Sequence, residues 1–354
     1  MAVGRKIPQK RSATIVNVAD MADVSIGTVS RYLNGFQIKV GNKKRIEDAI
    51  KALSYSRNAF ASAMKSEASS MVGLLVPDYD EFHAQLLGNL VTALRKEGIV
   101  TLTYCHESND EGFRDAVNFF RTHRVSALIV SDIDERRDEI IAMMNDGVQI
   151  ITYDNDPNDN SIDRVTVDNR AVSCTAVSHL LETGHSRVAI ITGAMENWTA
   201  VERLAGYRDA FERNGINIPE DLIVHSNWRR EGGQEAMQHL WNLPDRPTAV
   251  FGSNHQMSLG VIAYARANDI AIPEELSLIS FDDIEMFQYL TPAITAICQP
   301  VDKIAGAVKQ LLLRRLEGGT NDDALVEVLN CDFLKRESVA PPRLMTNQRT
   351  GSAR

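Results

Sequence analysis

From residue 71 onward, short apolar runs alternate with amphipathic stretches: "MVGLLVPD", "VTLTYC", "SALIVSD", "VQIITYDND", "RVAIITG", "LIVHSNW", "TAVFGSN" and "LSLISFDD". The runs are too continuous for strands with one face in water, so both faces must be covered. Parallel sheets with helices on each side satisfy that demand. Helical periodicity predicts the covers at about 82–97, 111–123, 170–183, 199–214, 231–242, 255–268 and 301–317. A segment of roughly 270 residues is too long for one such sheet, and two lobes are expected.

The rest of the chain narrows the possibilities. Hydrophobic residues make up 44% of the 354, enough for a sizeable core. No apolar run is long enough to span a bilayer, and no apolar core follows the basic N-terminus as in a secretory signal, so a cytoplasmic protein without membrane contact is expected. Cys105, Cys174, Cys298 and Cys331 stand far apart, without the spacing of a zinc site, and read as free thiols. Neither a metal nor a cofactor is expected. Charge is divided: residues 1–66 hold twelve Lys or Arg against four Asp or Glu, a balance of +8, while the remainder carries −17. A basic head on an acidic body suggests that the head meets a polyanion.

That head has a specific build. Helical patterns at about 15–22, 26–34 and 42–53 follow a polar arm, residues 1–13, expected to be flexible. In "VADMADVSIGTVSRYLNG", Ile15, Val18 and Ala19 form one apolar face and Val29 and Leu33 another. Asp23 suits a left-handed turn between them. Ser25 suits the N-cap of the second helix, with Val24 and Val29 as a hydrophobic staple. Ile26, Gly27, Ser30 and Arg31 are then left on the outer face. This is the layout of a helix-turn-helix, whose second helix enters the major groove. Arg31 can donate two parallel hydrogen bonds to guanine, and Ser25, Thr28 and Ser30 can reach phosphates.

The stretch "TIVNVADMADVSIGTVSRYLNG" strongly resembles the head of the lactose-repressor family of bacterial transcription regulators, and the likeness runs through nearly the whole chain. The resemblance implies base reading by Ile26, Gly27 and Arg31, and adds Thr14, Asn34, Asn58 and Ala61 to the DNA contacts. It makes "NAFASAMK" a hinge helix that folds on operator DNA, with Met64 as the apolar wedge in the minor groove. Asn17, Asp23, Arg57 and Ser62 depart from the family pattern, which bears on operator specificity.

In open parallel sheets, ligands lie beyond the carboxyl ends of the strands. Asp78, Ser131, Asp154, Trp228, Asn254 and Asp282 stand there. Carboxylates, an amide, a hydroxyl and a flat indole suit a small, neutral, polyhydroxylated ligand, although strand ends also carry Asp and Asn as turn formers. The resemblance implies that Arg203 of "RLAGYRDAF" grips ligand, with Asn254 of "FGSNHQM", Asp282 of "ISFDD", Trp228, Phe82 and Thr199 around it. His255 replaces the usual acidic neighbour of Asn254 and reads as a cleft or surface residue, while His185 of "ETGHSR" belongs to a helix-to-strand turn. "VTVDN" and "ICQP" match the family's crossovers between lobes.

An enzyme and an exported sugar-binding protein are the rivals. No GxGxxG or GxxxxGK[ST] follows a strand, and no nucleophile–base set is suggested. The expected architecture is an all-α helix-turn-helix head (14–57), a hinge helix and linker (58–70), a two-lobed, parallel α/β body of the type I periplasmic-binding-protein kind (71–340), and a flexible tail (341–354). Lobe one takes about 71–168 plus 301–331, and lobe two about 169–300 plus 332–340. The expected function is a homodimeric repressor on near-palindromic double-stranded DNA, released by a sugar or sugar-derivative inducer. A purine, nucleoside or other metabolite acting as corepressor is the alternative.

Overall fold

The computed structural model describes residues 13–33, 35–55, 71–131, 133, 136–157, 159–318 and 323–343. Asn34, Asn58, Ala61, Met64, the expected hinge helix and linker, and most of the expected arm and tail lie outside the described residues. The chain divides into two compact units, residues 1–69 and 70–354.

The first unit contains α1 (Ile15–Ala22), α2 (Ile26–Leu33) and α3 (Val40–Ala52). Thr14 caps α1: its hydroxyl accepts from Asn17 N at 3.4 Å, and the Asn17 side chain accepts from Thr14 N at 2.9 Å. Asn17, standing where the family pattern has an acid, thus completes a reciprocal capping box. The chain reverses at Asp23, which adopts the left-handed conformation (φ 50°) and accepts from Arg45 of α3 at 3.2 Å. Val18, Ala19, Ala22, Val29, Ile46 and Ala49 form the buried core. The small alanines let the helices approach, so a tight three-helix cluster forms from very short elements.

The second unit holds two six-stranded sheets. The first comprises β1 (Met71–Val76), β2 (Val100–Cys105), β3 (Ala127–Val130), β4 (Gln149–Tyr153), β5 (Asp163–Val167) and β11 (Val326–Leu329), in the order β11-β5-β4-β3-β1-β2, all parallel. The second comprises β6 (Val188–Thr192), β7 (Ile223–His225), β8 (Ala249–Gly252), β9 (Ser277–Phe281), β10 (Thr295–Cys298) and β12 (Asp332–Leu334), in the order β12-β10-β9-β8-β6-β7. Only β12, against β10, is antiparallel within that sheet. Every residue of β1, β3, β6, β8 and β9 is buried, as continuous apolar runs require.

Helices α4 (Glu81–Lys96), α5 (Asp110–Thr122), α6 (Arg137–Asn145) and α11 (Val301–Leu316) cover the first sheet. Helices α7 (Asn169–Glu182), α8 (Trp198–Arg213), α9 (Arg230–Trp241) and α10 (His255–Ala267) belong to the second lobe. The sequence reading lacked α6, where only Ile140 and Met143 face inward, too few to show a period. Gly233 and Gly260 sit where α9 and α10 touch, and a Cβ on either would run into the facing backbone. The chain passes between the sheets three times: from β5 to α7, from β10 to α11, and from β11 to β12. Those passages stack the lobes so that the carboxyl ends of the strands face one cleft.

Candidate functional site

Two surfaces stand out, one in each unit. In the first, α2 turns its outer face to solvent. Ile26 is 46% exposed despite being apolar, and Gly27 and Arg31 are exposed beside it, with Thr28 and Ser30 half-buried. The Ser25 hydroxyl accepts from Thr28 N at 3.2 Å, as an N-cap does, and lies 2.9 Å from the Thr28 hydroxyl. Nothing in the fold demands Gly27, as is also true of the helical Gly41, Gly88 and Gly306. An added Cβ would meet no atom closer than 3.9 Å. Glycine inside a helix costs about 0.5–1 kcal/mol relative to alanine, and on the exposed face of α2 it leaves room for close approach by something outside the chain.

In the second unit, a cavity of about 680 Å³ opens between the lobes. All nine candidate ligand residues line it: Asp78, Phe82, Ser131, Asp154, Thr199, Arg203, Trp228, Asn254 and Asp282. Three of the strand-terminal residues turn the chain in the left-handed conformation: Asp154 (φ 49°), Trp228 (φ 65°) and Asp282 (φ 67°). Trp228 is fixed further. Its indole N–H donates to Asn197 Oδ1 at 2.9 Å, its carbonyl accepts from Asn254 Nδ2 at 2.8 Å, and its ring lies where a side chain on Gly193 would stand. The glycine of "ITGAMENW" therefore seats an aromatic wall.

Arg203 anchors the floor. It is 2% exposed, and Nε donates to Asn169 Oδ1 at 2.8 Å and Nη1 to the Ser253 carbonyl at 2.5 Å. Its guanidinium stacks on Phe281, 3.5 Å from the ring centroid. The remaining nitrogen, Nη2, lies 3.6 Å from Asp154 Oδ1, and neither atom has a hydrogen-bond partner among the described residues. A buried donor and a buried acceptor thus stand side by side, unsatisfied, at the edge of the cavity.

The carboxylates differ in state. Burial pushes Asp154 up to about 6, with Arg203 pulling the other way and Asp282 adding to the rise. Burial also acts to raise Asp282, but His255, Arg203 and Gln299 outweigh it and hold that carboxyl at about 2. Gln299 Nε2 donates to Asp282 Oδ1 at 2.7 Å, and His255 Nδ1 lies 3.2 Å from Oδ2. On the first lobe, Asp80 caps α4 and lies 2.7 Å from His83 Nδ1. Burial disfavours charge on the His83 ring, yet Asp80, backed by Asp154 and Asp282, raises its pKa overall.

Comparison with known proteins now bears on these surfaces. Residues 14–58 match the model for bacterial regulatory proteins of the lacI family, and residues 177–339 match the periplasmic binding protein-like domain. The chain carries a DNA-binding domain of the lacI family and a periplasmic binding protein-like domain. Among its relatives, the HTH-type transcriptional repressor PurR of Vibrio atlanticus (strain LGP32) is 27% identical over 332 residues, 92% of this chain and 98% of the relative. The ribose operon repressor of Escherichia coli (strain K12) is 29% identical over 308 residues, 86% and 93% of the two chains. Among solved structures, a complex of the transcriptional regulator CelR with cellobiose is similar at TM-score 0.69 and 26% identity, covering 92% of this chain and 99% of the other.

With these domains the chain is a ligand-responsive, DNA-binding regulator; α2 and the second-lobe side of the cavity fall inside the matched regions, while the first-lobe residues Asp78, Phe82, Ser131 and Asp154 lie outside them. The structure also corrects one reading and adds residues. His255 is neither exposed nor in the cavity wall: it is 1% exposed and lies beneath Asp282. His185 does sit at the turn before β6, bonded to the Thr248 hydroxyl and the Ala340 carbonyl. Asp80, Arg136, Asn197 and Gln299 line the cavity as well. Asp80 carried a signal, an acidic N-cap before "EFHAQLL". Gln299 carried none beyond its place in "ICQP".

Proposed function

We propose that this protein is a cytoplasmic repressor, without catalytic activity, that binds a near-palindromic operator as a homodimer and responds to a small neutral effector in the inter-lobe cavity. In this reading α2 lies in the major groove. Arg31 reads a guanine, Ile26 and Gly27 contact base edges, and Thr14, Ser25, Thr28 and Ser30 hold phosphates. A two-fold dimer matches two half-sites about one helical turn apart.

The observation that carries the effector class is the unsatisfied pair at the cavity floor. A hydroxyl can donate to Asp154 Oδ1 while accepting from Arg203 Nη2, and a vicinal hydroxyl extends the same network to Asn254 or Asp282. The Trp228 ring covers the C–H face of such a ring compound. With His83 and His255 protonated, Asp80, Asp154 and Asp282 are offset by Arg203 and the two imidazoles, so the floor favours no net charge on the ligand. A sugar or sugar derivative fits these demands. A purine or nucleoside, acting as corepressor, is the second reading. It is favoured by the flat Trp228 and Phe82 faces and by the likeness to PurR.

The two are separated by thermal shift of the full chain against a panel of neutral sugars and purines, since binding at a hundredfold excess over Kd stabilises the native state by about 2.7 kcal/mol. Neutral sugars are expected to raise Tm, and Asp154→Ala to remove the shift. A panel in which only nucleobases raise Tm would transfer the site to the second reading.

A further inference from the structure

Besides the Arg203–Asp154 pair and the Thr199 hydroxyl that donates to the Asp154 carbonyl at 3.2 Å, three contacts cross the cleft in this structure. Arg229 donates to the Glu107 carbonyl at 3.2 Å, Glu285 N donates to the Glu81 carboxylate at 3.0 Å, and His255 stands between carboxylates of the two lobes. The third differs in kind. His255 begins α10 of the second lobe, with Nδ1 3.2 Å from Asp282 Oδ2 of its own lobe and Nε2 3.8 Å from Asp80 Oδ2 of the first. An imidazole whose two nitrogens face two carboxylates can donate to both only as the cation. As the neutral ring it can donate to one and must turn a lone pair toward the other.

We infer that His255 is a positioning residue for the effector cleft, a proton-operated tie whose cationic ring draws Asp80 of the first lobe toward Asp282 of the second, so that closing the lobes takes up a proton. This rests on the reading of the cleft as effector site only for its consequence, proton-linked effector binding. The tie itself is a property of the two lobes.

The surroundings support it. From the N-terminus of α4, Asp80 and Glu81 face the ring. From the turn after β9, Asp282 does; along α10 the Gln256 amide nitrogen lies 3.3 Å from Nε2, where it can donate only to the neutral ring and so competes with Asp80 for that nitrogen. Among the described residues the groups acting on the ring are carboxylates; Arg203 and His83 act through Asp282 and Asp80. Burial works against charge on His255, but Asp282 and Asp80 outweigh it and its pKa is raised in the closed arrangement. With the lobes apart, Asp80 and Glu81 withdraw and the ring is left with Asp282 alone. Closure is therefore favoured below the ordinary imidazole value of 6.5 and loses this support as pH rises through the raised, closed-state value. Each unit by which closure raises that value shifts the closed-to-open ratio about tenfold between the two limits.

The test needs no effector. In the full chain, encoded spin labels replace Asp115 of α5 and Glu235 of α9, both exposed, and the inter-lobe distance distribution is read between about pH 6 and about pH 9. The short-distance population is expected to fall across that range in the parent protein. It is expected to be small and independent of pH in His255→Asn. Asp80→Asn should behave likewise, and it keeps an N-cap on α4, so it decides the matter should His255→Asn fail to fold. In parallel, the His255 ring resonance should titrate above 6.5 in the parent and lower than that in Asp80→Asn. A distance distribution unchanged by pH in the parent, an equal pH response in Asp80→Asn, or a ring titrating at or below 6.5 would overturn the proposal. Because no ligand takes part, those results would leave the effector reading standing, and a failed effector panel would leave the tie standing.

Discussion

Asp154 and Asp282 are the same residue type at equivalent strand ends, the first half-buried and the second buried, and their surroundings push them apart. At Asp154, burial and the nearby Asp282 carboxylate outweigh Arg203, 3.6 Å away, and His83, and the carboxyl rises to about 6. Asp282 accepts from Gln299 and faces His255, and falls to about 2. Opposite pH effects on stability follow. A carboxyl raised in the native state favours folding while protonated, so Asp154 costs stability as pH rises from the unfolded value of 3.8 through 6. A lowered carboxyl contributes stability above 3.8 that is lost as pH falls through 2. Asp154→Asn is therefore expected to stabilise the body above pH 6 by on the order of 2 kcal/mol, with the gain fading below about pH 4. Asp282→Asn is expected to destabilise it by a similar amount at neutral pH. Denaturant titrations across pH check both. Equal and pH-independent effects would contradict the assigned environments. Asp154, held at some cost to folding, has the character of a residue kept for what it binds. The sequence made both residues visible as polar strand ends. It could not separate their states, because Gln299 and His255 reach Asp282 from 17 and 27 residues away.

At the scale of elements, the strands were legible because both of their faces are buried. A run such as "MVGLLV" has no other comfortable place. The long helices were legible from their apolar stripes, and α2 from its cap and its turn. The misses are short: α6 presents two buried side chains, β11 has four residues half-exposed at a sheet edge, and β5 and β10, five and four residues long, read only as crossovers between lobes. Periodicity needs repetition, and these elements are too short to repeat. Gly27 of α2 shows the converse, a residue whose identity the packing of the fold does not require. Gly27→Ala is expected to raise the stability of the head by up to about 1 kcal/mol and to weaken binding to the operator by an added methyl at the groove. A paired melting and anisotropy experiment checks this. Tighter or unchanged operator binding in the variant would remove Gly27 from the interface.

For the whole molecule, charge and architecture divide the labour. The basic residues concentrate in the first 66 positions, while the acidic body holds a polar cavity between two sheets. The cavity lies where three chain passages meet the carboxyl ends of the strands, so filling it changes how the lobes stack. In the proposed dimer, that stacking governs the spacing of the two heads. The two-lobed plan was readable from chain length and strand character. The network joining Asp80, His83, His255, Asp282 and Arg203 was not, because it is assembled from both lobes and exists only once they are stacked. The most direct test of the account is fluorescence anisotropy of the full chain on a symmetric operator duplex against scrambled competitor, across salt, with and without a neutral sugar that raises its Tm. The account predicts salt-dependent binding, at least about a thousandfold preference for the operator, and a change of about 5- to 150-fold in operator affinity when the sugar is added. Equal affinity for both duplexes, or an operator affinity untouched by a bound sugar, would contradict it.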